Sequence, residues 1–298
     1  MRGHREPIHP PSGHSFRVLR WGKTLREVDV VIGPGQRVPI HGEGEHWHYH
    51  VAMELTLFTA GEGTRFVGDH IGRFSSGDLV LLGEKLPHHW HTHGSSTGIS
   101  VQWEFSPGHP FWAFPETGSL GSLFKNSARG LRFSGGAAQT VSSGLHELLH
   151  TSGADQLGLL LRLLARLAAA GKSECATLSE HSFALPNTSE HQQAIAEAVR
   201  YLLANFRDEI RLEEVLDLTE MSKPTFTRQF KRHSGKTFSD FVSQVRLEAA
   251  CRDLAETDRP VLEIAQSCGF SQLSFFNRLF RRIRQCTPTE YRNRMRQS

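Results

Sequence analysis

The C-terminal third of this 298-residue chain repeats one pattern, first as LEEVLDLTEMSKPTFTRQF at residues 212–230 and again as VLEIAQSCGFSQLSFFNRLF at residues 261–280. Except for one extra residue after the serine, the apolar positions of the two copies match in type and spacing. Each copy predicts a short helix, a turn, a serine N-cap (Ser222 or Ser271) and a second helix. A pair of phenylalanines four residues apart would bury one face of each second helix.

The opposite face of each second helix is polar and basic. It carries Lys223, Thr225, Thr227, Arg228 and Lys231 in the first copy, and Gln272, Ser274, Asn277, Arg278, Arg281 and Arg282 in the second. Residues 221–298 hold 15 Lys/Arg against 7 Asp/Glu, which is a net charge of +8, so the rest of the +3 chain sums to −5. Two helix-turn-helix units with basic second helices are a DNA-binding arrangement. The alternative is a helical domain with a solvated basic face.

The repeat resembles a known family over residues 193–298. The signature is Ile264-Ala265-x3-Gly269-Phe270-x5-Phe276-x-Arg278-x-Phe280, followed by Thr287-Pro288-x2-Tyr291-Arg292. It resembles the AraC/XylS bacterial transcription regulators, whose DNA-binding domain contains two helix-turn-helix units bridged by a long helix. The bridging helix would span residues 241–257.

The resemblance implies that the second helix of each unit enters successive major-groove segments of double-stranded DNA. The residues predicted to reach base edges are Lys223, Thr227, Arg228, Ser274, Asn277 and Arg278. Arginine suits guanine O6/N7 and asparagine suits adenine N6/N7. Arg281, Arg282 and Arg284 are predicted to meet phosphates, which position a protein on DNA without specifying sequence.

Some positions depart from the family pattern. Glu220 stands in the turn of the first unit where the family usually has glycine, and Gln285 stands at another usual glycine position. Gly269 fills the corresponding turn position of the second unit, where a positive φ costs glycine little. The first turn is therefore expected to be less regular than the second.

The N-terminal third predicts β structure between residues 14 and 106. Short runs rich in Val, Ile, Leu and Phe recur between Gly, Pro and Asp residues, at 28–32, 53–58, 64–67, 79–82 and 99–105. Short strands at even spacing favour a sandwich or barrel over alternating strands and helices.

Histidine is concentrated in the same region, with 13 of the 18 histidines in the first 110 residues. The spacing Gly42-x5-His48-x-His50-x3-Glu54-x6-Gly61, followed by Gly77-x5-Gly83-x-Lys85-x2-His88, resembles the two conserved motifs of the cupin barrels. Gly83 and Lys85 replace the usual proline and glycine of the second motif. In metal-binding cupins the matching positions supply three histidines and one glutamate, which here are His48, His50, Glu54 and His88.

This resemblance leaves two uses of the barrel open. Imidazoles and one carboxylate suit Zn, Fe, Mn or Ni, so these residues are a possible divalent-metal site. Regulators that resemble cupins commonly bind a small effector, often a sugar, without a metal, and no cofactor would then be required. Effector contacts are predicted at His48, His50, Glu54, His88, Trp90 and Trp103, the tryptophans offering flat faces to a sugar ring.

The middle of the chain predicts a pair of helices and then a linker. Apolar residues recur at helical spacing from about residue 137, and residues 157–170 are rich in leucine. This helical pair, residues 137–171, either packs on its own barrel or joins two copies of the chain, and we expect a homodimer. Residues 172–188 lack periodicity and predict a linker.

Together these patterns predict an α+β two-domain protein. A cupin-like β-barrel (double-stranded β-helix) sensor over residues 1–136 precedes the helical pair and linker, and residues 189–298 form an all-α DNA-binding domain. The expected function is that of a transcription regulator that responds to a small effector. We expect it to be an activator, with RNA polymerase as a partner. The alternative is a metal-dependent cupin enzyme or metal sensor.

Several classes of protein are excluded by the sequence. No apolar run reaches 18 residues, so no membrane span is expected. The first residues lack the apolar segment of a secretory signal, and the four cysteines are widely spaced, which favours the cytoplasm. No catalytic triad or nucleotide-binding motif is present, so an enzyme is not expected.

Overall fold

The computed structural model of the protein describes residues 8–41, 44, 46–186 and 191–297. The chain divides into two compact units, Met1–Ser189 (the N-terminal unit) and Glu190–Ser298 (the C-terminal unit). Gly42 of the first histidine motif and the boundary predicted between residues 188 and 189 lie outside the described residues. Among the helices described, none has the length and apolarity needed to cross a membrane.

Antiparallel strands form two sheets in the N-terminal unit. The strands are β1 (Phe16–Trp21), β2 (Glu27–Gly33), β3 (Gln36–His41), β4 (Met53–Ala60), β5 (Gly63–Val67), β6 (His70–Phe74), β7 (Leu79–Leu82), β8 (His88–Thr92), β9 (Thr97–Trp103), β10 (Leu131–Phe133) and β11 (Cys175–Thr177). The large sheet has the order β11-β10-β7-β4-β9-β1-β2-β3, and the small sheet has the order β6-β5-β8. All five predicted strands are present, as β2, β4, β5, β7 and β9.

The central strands of the large sheet are buried on both faces. On β9, Ile99, Val101 and Trp103 pack into a core with the helices that follow the sheet. Alternate positions of the neighbouring strands, such as Leu19, Trp21 and Phe58, belong to a second core that includes Trp90 of β8. Because successive side chains of a strand point to opposite faces, these strands separate a helix-covered core from a core shared with the small sheet.

Three α-helices follow β9 in the chain, with β10 between the first two: α1 (Gly121–Ser127), α2 (Gly135–Leu148) and α3 (Gly153–Ala168). The buried leucines of α3 are Leu159, Leu160, Leu163, Leu164 and Leu167, and all five pack into the core beneath the large sheet. The apolar face of the predicted pair is therefore covered by the chain's own sheet. Leu157 and Leu161 are half-buried and pack at its margin.

The segment predicted as a linker is ordered in the structure as far as it is described. Residues 175–177 form β11, which pairs with β10 at the edge of the large sheet. Asp69 then accepts hydrogen bonds from the Ser179 hydroxyl at 2.8 Å and the Glu180 amide at 2.9 Å. Residues 172–186 thus belong to the N-terminal unit, because long-range pairing supplies order that local composition does not show.

Within the described residues of the C-terminal unit, helices are joined by turns and no strand is present. Its helices are α4 (Gln192–Asn205), α5 (Leu212–Thr219), α6 (Lys223–Ser234), α7 (Phe238–Glu256), α8 (Val261–Ser267), α9 (Leu273–Arg284) and α10 (Pro288–Gln297). The long helix α7 lies between the two helix pairs in sequence, as predicted. Phe226 and Phe230 are fully buried on α6, and Phe276 and Phe280 are fully buried on α9.

The serine caps predicted for α6 and α9 are realised only in part. Ser222 occupies the N-cap position of α6, but its hydroxyl bonds Thr225 Oγ1 at 3.0 Å rather than a backbone amide. The N-cap of α9 is Gln272 instead of Ser271. The extra residue in the second copy moves the start of the helix by one position.

Candidate functional site

A cavity opens in the N-terminal unit on the face of the large sheet away from the helices. Together with its mouth it encloses about 730 Å³ of empty space. Most of its wall is apolar and comes from Ile8, Leu19, Trp21, Leu25, Val28, Ile40, Phe58 and Trp90. Its polar part comes from Arg17, His48, Glu54, Thr56, His88, Ser100 and Gln102. A concave site that combines an apolar wall with a few convergent polar groups is typical of small-molecule sites.

The polar floor is a row of neighbours across three strands. Arg17 of β1 pairs with Gln102 of β9, and Gln102 pairs with Glu54 of β4. Arg17 Nε donates to Gln102 Oε1 at 2.5 Å, and Gln102 Nε2 donates to Glu54 Oε2 at 2.6 Å. The Thr56 hydroxyl donates to the other oxygen of Glu54. The carboxylate is therefore held in one orientation by two donors.

Three imidazoles meet above this carboxylate. His50 Nε2 lies 3.1 Å from Glu54 Oε2, and His88 Nε2 lies 3.8 Å from the same oxygen. The ring centroids of His48 and His88 are 4.3 Å apart. One ring nitrogen from each of the three histidines lies within 4.8 Å of the others.

Each of these rings is oriented through its Nδ1 atom. His48 Nδ1 bonds the His46 carbonyl at 2.7 Å, His50 Nδ1 bonds the Ala52 carbonyl at 2.8 Å, and His88 Nδ1 bonds the Leu86 carbonyl at 2.8 Å. Because a carbonyl oxygen only accepts, each Nδ1 carries the hydrogen, and the Nε2 of a neutral ring carries a lone pair. His88 Nε2 has no hydrogen-bond partner among the described residues.

The same geometry fits a bound cation. A lone pair at His50 Nε2 facing the Glu54 carboxylate is unfavourable unless a proton or a cation lies between them. Three imidazoles with Nδ1 held by carbonyls, and a carboxylate held by outer hydrogen bonds, are the arrangement that protein metal sites use. His48, His50, His88 and Glu54 therefore fit the donor set of a divalent transition metal.

Burial and mutual charge shift the titration of this cluster. Burial alone would raise the pKa of Glu54, but the His50 hydrogen bond and the charges of His88 and His50 hold it well below its usual value. Burial first, and then the charge of His48, lower the pKa of His88 well below its usual value. Burial also lowers the pKa of His89 to about 3, with His91 adding to the effect. At neutral pH Glu54 is therefore ionised, and His88 and His89 are neutral.

Four of the six residues predicted to contact an effector line the cavity: His48, Glu54, His88 and Trp90. His50 lies behind them, bonded to Glu54. Trp103 is not part of the site, because it occupies the opposite face of β9 and packs on Phe105 and Phe124. Sequence reasoning missed Arg17, Thr56 and Gln102, whose signal is a polar residue at alternate positions of an otherwise apolar strand.

A basic surface follows α6 in the C-terminal unit. A shallow recess is lined by Lys223, Pro224, Thr227, Arg228, Lys231 and Arg232. Lys223, Thr227 and Arg228, which were predicted to reach base edges, lie together on this exposed face. The burial of Phe226 and Phe230 against the unit's interior turns the basic face outward.

The exposed face of α9 carries Ser274, Arg278, Arg281 and Arg282, and Asn277 is half-buried beside them. Arg284 does not belong to this face, which corrects its prediction as a phosphate contact. Its Nη2 bonds Glu248 of α7, and its Nε lies 3.3 Å from Cys251 Sγ. The helical period at position 284 directs the guanidinium toward α7.

Comparison with known proteins identifies the C-terminal unit. A helix-turn-helix domain family matches residues 215–294. The regulatory protein SoxS of Escherichia coli K12 is 30% identical over 105 residues, which are 35% of this chain and 98% of SoxS. The chain belongs to the AraC/XylS family.

Other AraC/XylS relatives cover different shares of the chain. The transcriptional activator RhaS of Pectobacterium atrosepticum is 24% identical over 288 residues, 91% of this chain and 94% of RhaS. The regulatory protein PocR of Salmonella typhimurium is 34% identical over 105 residues, 35% of this chain and 35% of PocR. The chain thus matches about a third of the length of PocR. AraC/XylS proteins are DNA-binding transcription regulators, not enzymes, and nothing supports the enzymatic alternative.

The departures from the AraC/XylS pattern have a backbone consequence. Glu220 ends α5 at φ 53° and Gln285 ends α9 at φ 54°, both in the left-handed region. Lys85, which also replaces a usual glycine, has φ 59°. These residues keep the left-handed backbone that glycine usually supplies. The turn after α5 at Glu220 therefore forms like the turn after α8 at Gly269, in contrast to the expectation that the first turn is less regular.

Proposed function

We propose that this protein is a sequence-specific transcription regulator that binds double-stranded DNA through two helix-turn-helix units and responds to a small effector. The units are α5–α6 and α8–α9, with α7 as the bridging helix. The observation that carries the proposal is the pair of outward polar faces on α6 and α9, each held by two buried phenylalanines. We place the protein in the cytoplasm, as an activator that acts with RNA polymerase.

The assignment of base and phosphate contacts is tested with two arginines of α9. Arg278 lies on the face predicted to reach base edges, and Arg282 lies one turn further along the same helix. Arg278→Ala should cost about 1–3 kcal/mol and relax specificity at one base pair, whereas Arg282→Ala should weaken binding to all sequences alike. The measurement is a titration, at fixed salt, of a duplex selected from a randomised pool and of its single-base variants. Unchanged binding by Arg278→Ala would contradict the assignment.

The N-terminal unit is proposed as the cupin-like sensor, with the effector in the cavity above Glu54 and Gln102. A carbohydrate effector is the expectation from related regulators. The lining supports a broader description: it combines apolar and aromatic side chains, among them Trp21, Phe58 and Trp90, with the polar row of Arg17, Gln102 and Glu54. An effector with an apolar body and one oxygen-rich end matches both parts.

A thermal-shift screen of the full chain tests the effector proposal. The compounds screened would be monosaccharides and small carboxylates that carry an aromatic or alkyl body. A ligand that binds only the folded state raises its melting temperature. Ser100→Leu, which projects a larger side chain into the cavity, should remove the shift produced by any hit. A shift that persists in this variant would place the ligand elsewhere.

A second proposal concerns a resident metal ion. His48, His50, His88 and Glu54 would hold a divalent ion such as Zn, Fe, Mn or Ni, supported by the orphaned Nε2 of His88 and the oriented rings. A bound metal would supply a Lewis-acidic position at the polar end of the cavity. The protein's own contribution is to hold the imidazoles by Nδ1 and the carboxylate by Gln102 and Thr56.

Elemental analysis of protein purified from cells grown with these metals tests that proposal. Stoichiometric metal in the natural protein that is lost in His48→Ala/His50→Ala supports it. His91→Ala is the matched control, since His91 lies on β8 outside the cluster, and it should keep the metal. A natural protein without stoichiometric metal would contradict the proposal.

We propose further that two copies of the chain associate through the outer side of α3. The buried leucines of α3 are used within the chain, so the contact would rest on the half-buried Leu157 and Leu161. Sedimentation at micromolar concentration should give a dimer for the natural protein and a monomer for Leu157→Asp/Leu161→Asp. A monomeric natural protein would contradict the proposal.

A further inference from the structure

Two apolar side chains are exposed at the start of α9, within a face that is otherwise polar and basic. Leu273 is 36% exposed and Phe275 is 38% exposed. The other exposed positions of the helix are Ser274, Arg278, Arg281 and Arg282. The core beneath α9 is filled by Phe276, Leu279 and Phe280, and Leu273 and Phe275 are not part of it.

The corresponding positions of α6 have a different chemistry. When the buried phenylalanines Phe226 and Phe276 are superimposed in the repeat, Leu273 matches Lys223, and Phe275 matches Thr225. The first helix therefore begins with an ammonium group and a hydroxyl, and the second begins with a leucine and an aromatic ring. Two helices with equivalent places in the repeat present different groups at the end that reaches base edges.

The two apolar side chains flank the polar residues of α9. The Arg278 guanidinium carbon lies 5.8 Å from the centroid of the Phe275 ring, close enough for the ring to orient the guanidinium. Phe275 in turn lies 6.2 Å from the ring of the buried Phe270. Leu273 precedes Asn277 by one helical turn. Arg281 and Arg282 carry the positive charge of the exposed face on to the last turn of α9, and a face of this charge suits DNA rather than an apolar protein partner.

We propose that Leu273 and Phe275 contact the 5-methyl groups of thymines in the major groove. The thymine methyl is the apolar group that a base pair presents there, and it is read by apolar side chains. The DNA segment that faces α9 would then be specified by thymines next to the base pair read by Arg278. The segment that faces α6 would lack this requirement. This inference rests on the proposed DNA-binding function.

Replacement of thymine by deoxyuridine tests it, because the substitution removes the methyl group and leaves every hydrogen-bonding atom in place. A duplex selected by the full-length protein from a randomised pool would be remade with deoxyuridine at each thymine in turn. We expect one or two positions where the natural protein binds roughly three- to tenfold more weakly. Those positions should lie within one groove segment.

The variant Phe275→Ala closes the thermodynamic cycle. It should bind the thymine duplex more weakly than the natural protein by a similar factor, and deoxyuridine at the thymine that Phe275 contacts should have no further effect, whereas a thymine that Leu273 contacts stays sensitive. Phe114→Ala is the matched control, because Phe114 is an exposed phenylalanine of the N-terminal unit. It should keep the natural affinity and the natural sensitivity to deoxyuridine.

The outcomes separate this inference from the function on which it rests. A pool that yields no enriched sequence overturns the proposed function and this inference with it. An enriched duplex whose affinity stays within twofold at every deoxyuridine position overturns this inference alone. So does a Phe275→Ala protein that keeps the natural sensitivity to deoxyuridine at every position.

Discussion

At the scale of single residues, Glu220, Gly269 and Gln285 of the C-terminal unit each have a left-handed backbone, with different consequences for a side chain. Glu220 and Gln285 each occupy a conformation that costs a residue with a Cβ about 1–2 kcal/mol. Gly269 has φ 85°, and a Cβ there would lie 2.8 Å from the Phe206 carbonyl oxygen and 2.7 Å from Arg246 Nε. One turn position therefore tolerates a side chain under strain and the other has no room for one.

Glycine substitutions should reveal this difference. Glu220→Gly and Gln285→Gly should each raise the free energy of unfolding of the C-terminal unit by about 0.5–1 kcal/mol, and Gly269→Ala should lower it by more than about 1 kcal/mol. Urea denaturation followed by far-ultraviolet circular dichroism measures all three. Glu213→Gly, at an exposed position within α5, is the control and should destabilise. A destabilised Glu220→Gly protein would contradict the argument.

His233 should make the stability of the C-terminal unit depend on pH. Burial, with the charges of Arg232 and His191, lowers its pKa to about 4, whereas an unfolded histidine titrates near 6.5. The unfolded state binds more protons between these values, so stability present above pH 6.5 falls as the pH drops towards 4, by roughly 3 kcal/mol. His233→Asn should lose less stability than the natural protein between pH 7 and pH 4.5 in denaturant titrations. Equal slopes would exclude His233 as the cause.

At the scale of secondary-structure elements, α3 shows how a strongly apolar helix is used. Leu164 is fully buried beneath the large sheet, and Leu161 is half-buried at its margin. Leu164→Ala should lower the free energy of unfolding of the N-terminal unit by about 2–5 kcal/mol, because it leaves a cavity that its surroundings fill only in part. Leu161→Ala should cost less than about 1 kcal/mol. Similar costs in chemical denaturation would mean that the two faces of α3 are equally buried.

Element types were more predictable than element limits. The short runs rich in Val, Ile, Leu and Phe predicted β2, β4, β5, β7 and β9, and the helical repeat predicted α5, α6, α8 and α9. Strands β6 and β8 were missed because HIGRF and HHWHT lack a run of Val, Ile or Leu. Strand β11 was assigned to a linker because its order comes from pairing with β10, which lies far away in sequence.

At the scale of the whole molecule, charge is divided between the two ends of the chain. The +8 of residues 221–298 is concentrated on exposed faces of α6 and α9, and the remaining residues sum to −5. If six or more of these cations meet phosphates, affinity for DNA should fall about 10³-fold between 50 and 200 mM salt through counterion release. Titrations of one duplex at several salt concentrations measure the slope. The slope should become shallower by about one unit in Arg282→Ala, and an unchanged slope would remove Arg282 from the phosphate contacts.

The sequence by itself determined what depends on short spacing. The repeated helix pairs, the outward basic residues and the two-residue separation of His48 and His50 are all local, because helix and strand periods determine which side chains share a face. Only the tertiary structure decided what those faces meet. Arg17, Glu54 and Gln102 form one row because β1, β4 and β9 pair across long stretches of chain. Trp103 lies outside the site and Gln102 lies within it, because adjacent residues of a strand face opposite ways. The pairing register determines which of the two faces borders the cavity.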